Sequence, residues 1–234
     1  MTQSCLLMIR PKEAAQSFVR ALSQTLDRPF DVVYSPVVSI EPVAAHIDLH
    51  GITHLVFTSA NGVKQFAALT QDRSIQALCV GKTTQQVALK TGLKATSTGR
   101  TVADLLSWLE HHNASPVLNI LYLRGEQVSF DLLPALRKSG IQTRETVLYR
   151  QKHQPLSETA SRLLQEKPVV IPVFSANSAT GLLKTGTLSD AYQASLVCIS
   201  PNVARRFADL SADRITVAKT PDRSGMISAV ADLL

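Results

Sequence analysis

Short apolar runs rich in β-branched residues alternate along the chain with longer segments in which apolar side chains return every three or four positions. The first run, Leu6-Leu7-Met8-Ile9, leads into a helical pattern over residues 14–26 and then into Val32-Val33-Tyr34. The alternation continues with His54-Leu55-Val56-Phe57 before a helix over residues 61–69, and with residues 77–80 before a helix over residues 83–91. After Thr101, the spacing of Val102, Leu105, Leu106, Trp108 and Leu109 predicts a further helix that His111 and His112 end. Strand, helix, strand in repetition is the rhythm of an α/β protein with parallel sheets.

The segment from about residue 119 replays the one from about residue 2, element by element. Ile9-Arg10 matches Leu123-Arg124 at a displacement of 114, Leu22 matches Leu136 at 114, and Tyr34 matches Tyr149 at 115. Phe57-Thr58 then matches Phe174-Ser175 at 117, Asn61 matches Ser178, and Val80-Gly81 matches Ile199-Ser200 at 119. Displacements that grow slowly and stay in order are what loop insertions between two copies of one unit produce. The copies meet at the polar stretch 113–116. Copies and domains need not coincide. Residues 34–42, with Pro36 and Pro42, and residues 148–155, closing on Pro155, suit extended connectors better than helices.

In open α/β sheets chemistry collects at the carboxyl ends of the strands, where loops feed helix N-termini with free N–H groups. Thr58, Ser59 and Asn61 follow one predicted strand, and Gly81, Lys82 and Thr83 the next. In the second copy Ser175 to Ser178 and Ser200 to Asn202 stand in the same places. Hydroxyl and amide side chains there either cap helices or bind carboxylates, and the pattern alone admits both. Pro172 removes a ladder donor and predicts that its strand is an edge or bulged one.

Composition narrows the chemistry. At 234 residues and 45% hydrophobic content the chain holds one large domain or two small ones. A net charge of +6 favours an acidic partner, but aromatics are only 5% and the densest basic spot is Arg205-Arg206. That is no nucleic-acid surface. No apolar run approaches the ~20 residues of a membrane span, and the N-terminus lacks a signal-peptide pattern. A cytoplasmic protein without membrane attachment is expected. Cys5, Cys79 and Cys198 each sit in an apolar run and read as buried thiols. Gly81-Lys82-Thr83 lacks the glycine five residues earlier that a P-loop needs, Gln76 standing there, and no G-x-G-x-x-G occurs. His46, His50 and His54 fall four apart, but Gly51 interrupts them, and a solvated helix end is expected rather than a metal site. With no G-x-S-x-G elbow and no distinct acid pair, neither a metal nor an organic cofactor is expected. An enzyme of this kind would act by holding and orienting its substrate.

The strand ending Ile9-Arg10-Pro11, the run Leu55 to Val63, and Val80-Gly81-Lys82-Thr83-Thr84 resemble the uroporphyrinogen-III synthase family in order and spacing. So do Leu123-Arg124-Gly125-Glu126, Val147-Leu148-Tyr149, and the Phe-Ser-x-x-Ser turn from Phe174 to Ser178. Ala176 and the Ser200-Pro201-Asn202 turn depart from the family pattern. The resemblance implies two similar parallel-sheet α/β domains, one inserted in the other, joined by a two-stranded β linker with a cleft between them. It maps the first domain to residues 1–36 and 152–234, the second to 40–149, and the linker strands to 34–42 and 148–155.

It also implies the reaction: hydroxymethylbilane, a linear tetrapyrrole with many carboxylates, closes to uroporphyrinogen III with inversion of ring D and loss of water. Tyr149 is then the implied catalytic residue, helping the hydroxyl to leave. The implied substrate-binding residues are Arg10, Thr58, Ser59, Asn61, Gly81, Lys82, Thr83, Arg124, Ser175, Ser178 and Ser200. A monomer is expected of an enzyme that opens and closes, with hydroxymethylbilane synthase as a transient partner. The rival reading is a two-lobed module that binds or senses an anionic ligand without chemistry.

Overall fold

The computed structural model describes residues 4–112, 118–128 and 130–234; the stretch 113–116, where the sequence copies meet, lies outside the described residues. Along the chain β1 (Cys5–Met8), α1 (Lys12–Ser23), β2 (Val32–Tyr34) and β3 (Val38–Pro42) come first. Then follow β4 (His54–Phe57), α2 (Ala60–Leu69), β5 (Gln76–Val80), α3 (Lys82–Lys90), β6 (Ala95–Gly99) and α4 (Val102–His112). The second half holds β7 (Asn119–Gly125), α5 (Leu132–Lys138), β8 (Gln142–His153), α6 (Glu158–Glu166), β9 (Pro168–Val173) and α7 (Ala176–Leu183). It closes with β10 (Gln193–Cys198), the short α8 (Pro201–Ala204), β11 (Ile215–Val217) and α9 (Arg223–Ala231).

These elements form two compact units, Met1–Ser39 with Lys152–Leu234, and Ile40–Gln151. The first unit has a five-stranded sheet in the order β2-β1-β9-β10-β11, every neighbour parallel. Leu6 and Met8 point to one face, onto Phe18 and Leu22 of α1 and Met226 and Val230 of α9. Cys5, Leu7 and Ile9 point to the other, onto Leu163 and Leu164 of α6 and Leu182 of α7. The second unit runs β8-β7-β4-β5-β6, with β3 outside β8. Leu55 and Phe57 face Val63 and Phe66 of α2, and Val56 and Leu78 face Leu105 and Leu109 of α4. Both faces of each sheet are thus covered by helices, as parallel strands require. Each fully buried large apolar side chain contributes roughly 1.5–3 kcal/mol.

Read through the sequence repeat, the two strand orders are one. β1 and β2 correspond to β7 and β8, and β4, β5 and β6 to β9, β10 and β11, so both units take the doubly wound order 2-1-3-4-5. Each unit combines the first two strands of one copy with the last three of the other. The chain passes from unit to unit along β3 and β8. There Gln154 N–H donates to Val37 O (3.0 Å), Ser39 Oγ to Lys152 O (3.3 Å), and Val43 N–H to Leu148 O (2.9 Å), one position falling as the other rises.

Three expectations change. Pro172 lies in β9, an interior strand, and no register shift marks its ladder to β10. Val173 O accepts from Ile199 N–H (3.0 Å), so residue 172 addresses the β1 side, where pairing ends at Leu6 with Val170. The missing donor therefore shortens the ladder and leaves the strand in the interior. His46 and His50 are on no helix: Val43 pairs with Leu148 in extended conformation, and Arg144 clasps the segment through Asp48 Oδ2 (2.5 Å) and His50 O (2.7 Å). Lastly, Tyr34 and Tyr149 do not hold the same place. Tyr34 pairs with Met8, whereas the counterpart of Met8, Tyr122, pairs with Glu145.

Candidate functional site

In the first unit Arg10, Ser175 and Ser200 follow the carboxyl ends of β1, β9 and β10, three neighbouring strands. In the second unit Arg124 and Tyr149 lie near the carboxyl ends of β7 and toward that of β8, with Thr58, Ser59 and Asn61 after β4 and Gly81, Lys82 and Thr83 after β5. The fold gathers the sequence candidates into one row per unit. Strand order reverses between β1 and β9 and between β4 and β7, which puts Arg10 and Arg124 at the two switch points.

Several of these side chains are committed to the helices they open. Ser59 Oγ accepts from Asn61 N–H (3.1 Å), and Ser175 Oγ from Ser178 N–H (3.1 Å) while also meeting Ser178 Oγ at 2.9 Å. Ser178 is buried. Thr58 Oγ1 lies 3.2 Å from the hydroxyl of Tyr122, whose phenol burial pushes up, the Thr58 bond partly offsetting it. Ser200 makes no side-chain cap bond and precedes Pro201 at the start of the four-residue α8. Gly81 takes φ 84°, ψ 142° and donates its N–H to Gly99 O (2.8 Å), a backbone only glycine adopts readily. It leaves Lys82 and Thr83 on the first turn of α3, both exposed.

The two arginines differ. Arg124 meets Glu145 in a bidentate pair, Nε to Oε2 at 2.6 Å and Nη2 to Oε1 at 3.2 Å, and its Nη1 donates to Gly125 O and Glu126 O. Glu145 accordingly raises its pKa, as the chief cause of the shift. Arg10 is half-buried, with its guanidinium carbon 4.1 Å from the centre of the Phe174 ring. Burial lowers its pKa, and the cation Arg223 lowers it further.

Tyr149 is buried at 4% exposure and stands on Gly125, where a Cβ would come within 2.7 Å of the ring carbon Cζ. Its hydroxyl bonds no described residue and is not a buried orphan, so it is the end of the ring that meets solvent. Glu145, Tyr122 and Arg223 have no sequence signal of their own, because their partners come from strand register or from the far end of the chain; Phe174 was part of a motif, but its stacking on Arg10 was not legible there. Among the described residues no cluster could hold a metal ion, and no helix is long and apolar enough to cross a membrane. One concavity within the second unit, about 480 Å³ and lined by Asn119, Gln142 and Arg144, opens at the amino ends of β7 and β8, away from the row.

Two doubly wound units, each with its polar row at the carboxyl ends of parallel strands, define a two-domain α/β protein. Over residues 19–228 the chain matches the family described as uroporphyrinogen-III synthase HemD, and it belongs to that family of tetrapyrrole-synthesising enzymes. Its fold is that of a uroporphyrinogen-III synthetase from Helicobacter pylori, with a TM-score of 0.71 at 16% identity over 99% of this chain and 100% of that one. A mutant uroporphyrinogen III synthase from the extremely thermophilic bacterium Thermus thermophilus gives a TM-score of 0.51 at 15% identity over 97% of each chain. No curated protein matches by sequence.

Proposed function

We propose that this member of the family closes hydroxymethylbilane to uroporphyrinogen III, acting as a hydro-lyase. The observation that carries the reading is the family match over residues 19–228. Loss of the terminal hydroxyl as water leaves an azafulvenium-type cation. The remaining task is to fold the flexible chain so that attack with inversion of ring D, through a spiro intermediate, outruns direct closure. Holding reactive ends together supplies about 7–11 kcal/mol in favourable cases, so distributed contacts to carboxylates matter more than a strong base.

The chain's own turns support that kind of contact. At the end of β6 the Asp104 carboxylate accepts the backbone N–H groups of Arg100 (2.7 Å) and Thr101 (2.8 Å), which hold its pKa down. A carboxylate is thus already seated on one strand end of the second unit, and the reading gives Gly81, Lys82 and Thr83 the same task toward the substrate. Ser59, Ser175 and Ser178 hold the helix starts in shape, Thr58, Asn61 and Ser200 add polar groups to the rows, and Arg124, bound by Glu145, is a positioning residue. Tyr149, with a wetted hydroxyl on a fixed ring, donates a proton to the departing oxygen. The same reading takes the protein as a cytoplasmic monomer, supplied through a transient encounter with hydroxymethylbilane synthase.

The test supplies freshly made hydroxymethylbilane and resolves the isomers formed. Isomer III in excess over the spontaneous product is expected; isomer I alone sinks the reading.

A further inference from the structure

Arg10 and Arg124 occupy equivalent places, each two residues beyond an equivalent strand position, Met8 and Tyr122. The neighbouring strand treats them differently. Beside Tyr122 it supplies Glu145, which neutralises Arg124; beside Met8 it supplies Tyr34, which carries no charge. Arg10 forms no ion pair with a described residue; burial lowers its pKa, and the cation Arg223 lowers it further.

Arg223 opens α9 and is itself exposed, tied through Nη2 to the Ser17 carbonyl and to Ser17 Oγ (3.2 Å). Phe174 fixes the Arg10 guanidinium from one side and is braced by Phe18, edge to face at 5.0 Å. Ser17, which holds Arg223, adjoins Phe18, which braces Phe174, so this stack brings a second cation toward Arg10, and a cation with no paired carboxylate favours an anion. A guanidinium stacked on a ring keeps its N–H fork for a planar, two-oxygen ligand.

We propose that Arg10, Arg223 and Phe174 form a carboxylate-docking site at the switch point of the first unit, taking a side-chain carboxylate of the tetrapyrrole, and that the charge-neutralised Arg124 provides no equal site in the second. The identity of the carboxylate's owner rests on the synthase reading above; the site itself does not.

The test pairs the isomer-resolved assay with equilibrium binding of uroporphyrin III, a stable fluorescent polycarboxylate, to the full chain. Arg10→Gln and Arg223→Gln each weaken that binding about tenfold or more. They raise KM for hydroxymethylbilane by a similar factor with a smaller change in kcat, and flatten the salt dependence of binding; Arg10→Lys recovers part of the loss. Arg162→Gln, which removes an equal charge from the exposed side of α6, leaves the affinity within about threefold. Wild-type affinity in folded Arg10→Gln and Arg223→Gln overturns the site, while isomer III still forming keeps the synthase reading. A wild type that does not bind the probe also overturns it. A wild type that yields only isomer I, yet whose probe binding depends on Arg10, removes the synthase reading and keeps the site. Should Arg10→Gln fail to fold, the exposed Arg223 decides alone.

Discussion

Gly125 has no side chain where the Tyr149 ring stands, and that contact ties the tyrosine to the end of β7. Gly125→Ala brings a methyl within 2.7 Å of Cζ and must displace the ring. A loss of about 1–3 kcal/mol in urea unfolding is expected, with a fall in turnover. Tyr149→Phe separates the two effects: the hydroxyl bonds no described residue, so the unfolding midpoint stays put while turnover drops. Unchanged turnover would reassign Tyr149 to packing. The buried thiols give a pH signature. Burial pushes Cys79 up to about 12 and Cys198 up to about 11 from an ordinary 9.0. Below pH 9 both are protonated folded or unfolded, and the full stability is present. Above it the unfolded chain ionises first, so stability falls, by about 1.4 kcal/mol per thiol at pH 10. Urea melts at pH 8 and pH 10 check this, and Cys79→Ala should show the smaller drop. Arg10 stood out as a candidate in the ordered repeat, and Tyr149 only through the family resemblance, its repeat match to Tyr34 having failed. Arg223 was not legible, since its nearness to Arg10 depends on where the last helix packs.

Helix starts carry the site's geometry. Ser175→Ala removes the acceptor for the Ser178 N–H and should cost about 1 kcal/mol, seen as a lower midpoint in thermal unfolding; no change would mean that solvent serves that N–H equally well. At Gly81 a Cβ meets nothing within 4 Å, so Gly81→Ala tests backbone strain alone. About 1–3 kcal/mol is expected from φ 84°. Strands with continuous apolar runs, β1, β4, β5 and β9, were plain in the sequence because both their faces are buried. The edge strand β6, Ala-Thr-Ser-Thr-Gly, was not, since one of its sides has no strand partner and its residues are polar. Pro172 misled for a related reason: the sequence shows that a donor is missing, but not which neighbour would have received it.

The parallel α/β class and the internal repeat could be read from the chain. The exchange of strands between copies could not, because the order 2-1-3-4-5 is set by packing among segments more than a hundred residues apart. Either copy alone has only part of each sheet. Residues 1–112 or 118–234 expressed singly should therefore be insoluble or unfolded, and co-expression should restore a folded pair, as read by circular dichroism and isomer formation. A stable, cooperative transition in one fragment alone would contradict the exchange. The same arrangement sets a schedule during synthesis. Ile40–Gln151 is contiguous, so that unit can close while the ribosome is still adding Lys152–Leu234. β1 and β2 must wait for β9, and until Pro168–Val173 is made one flank of the apolar strand β1 has no neighbour to pair with.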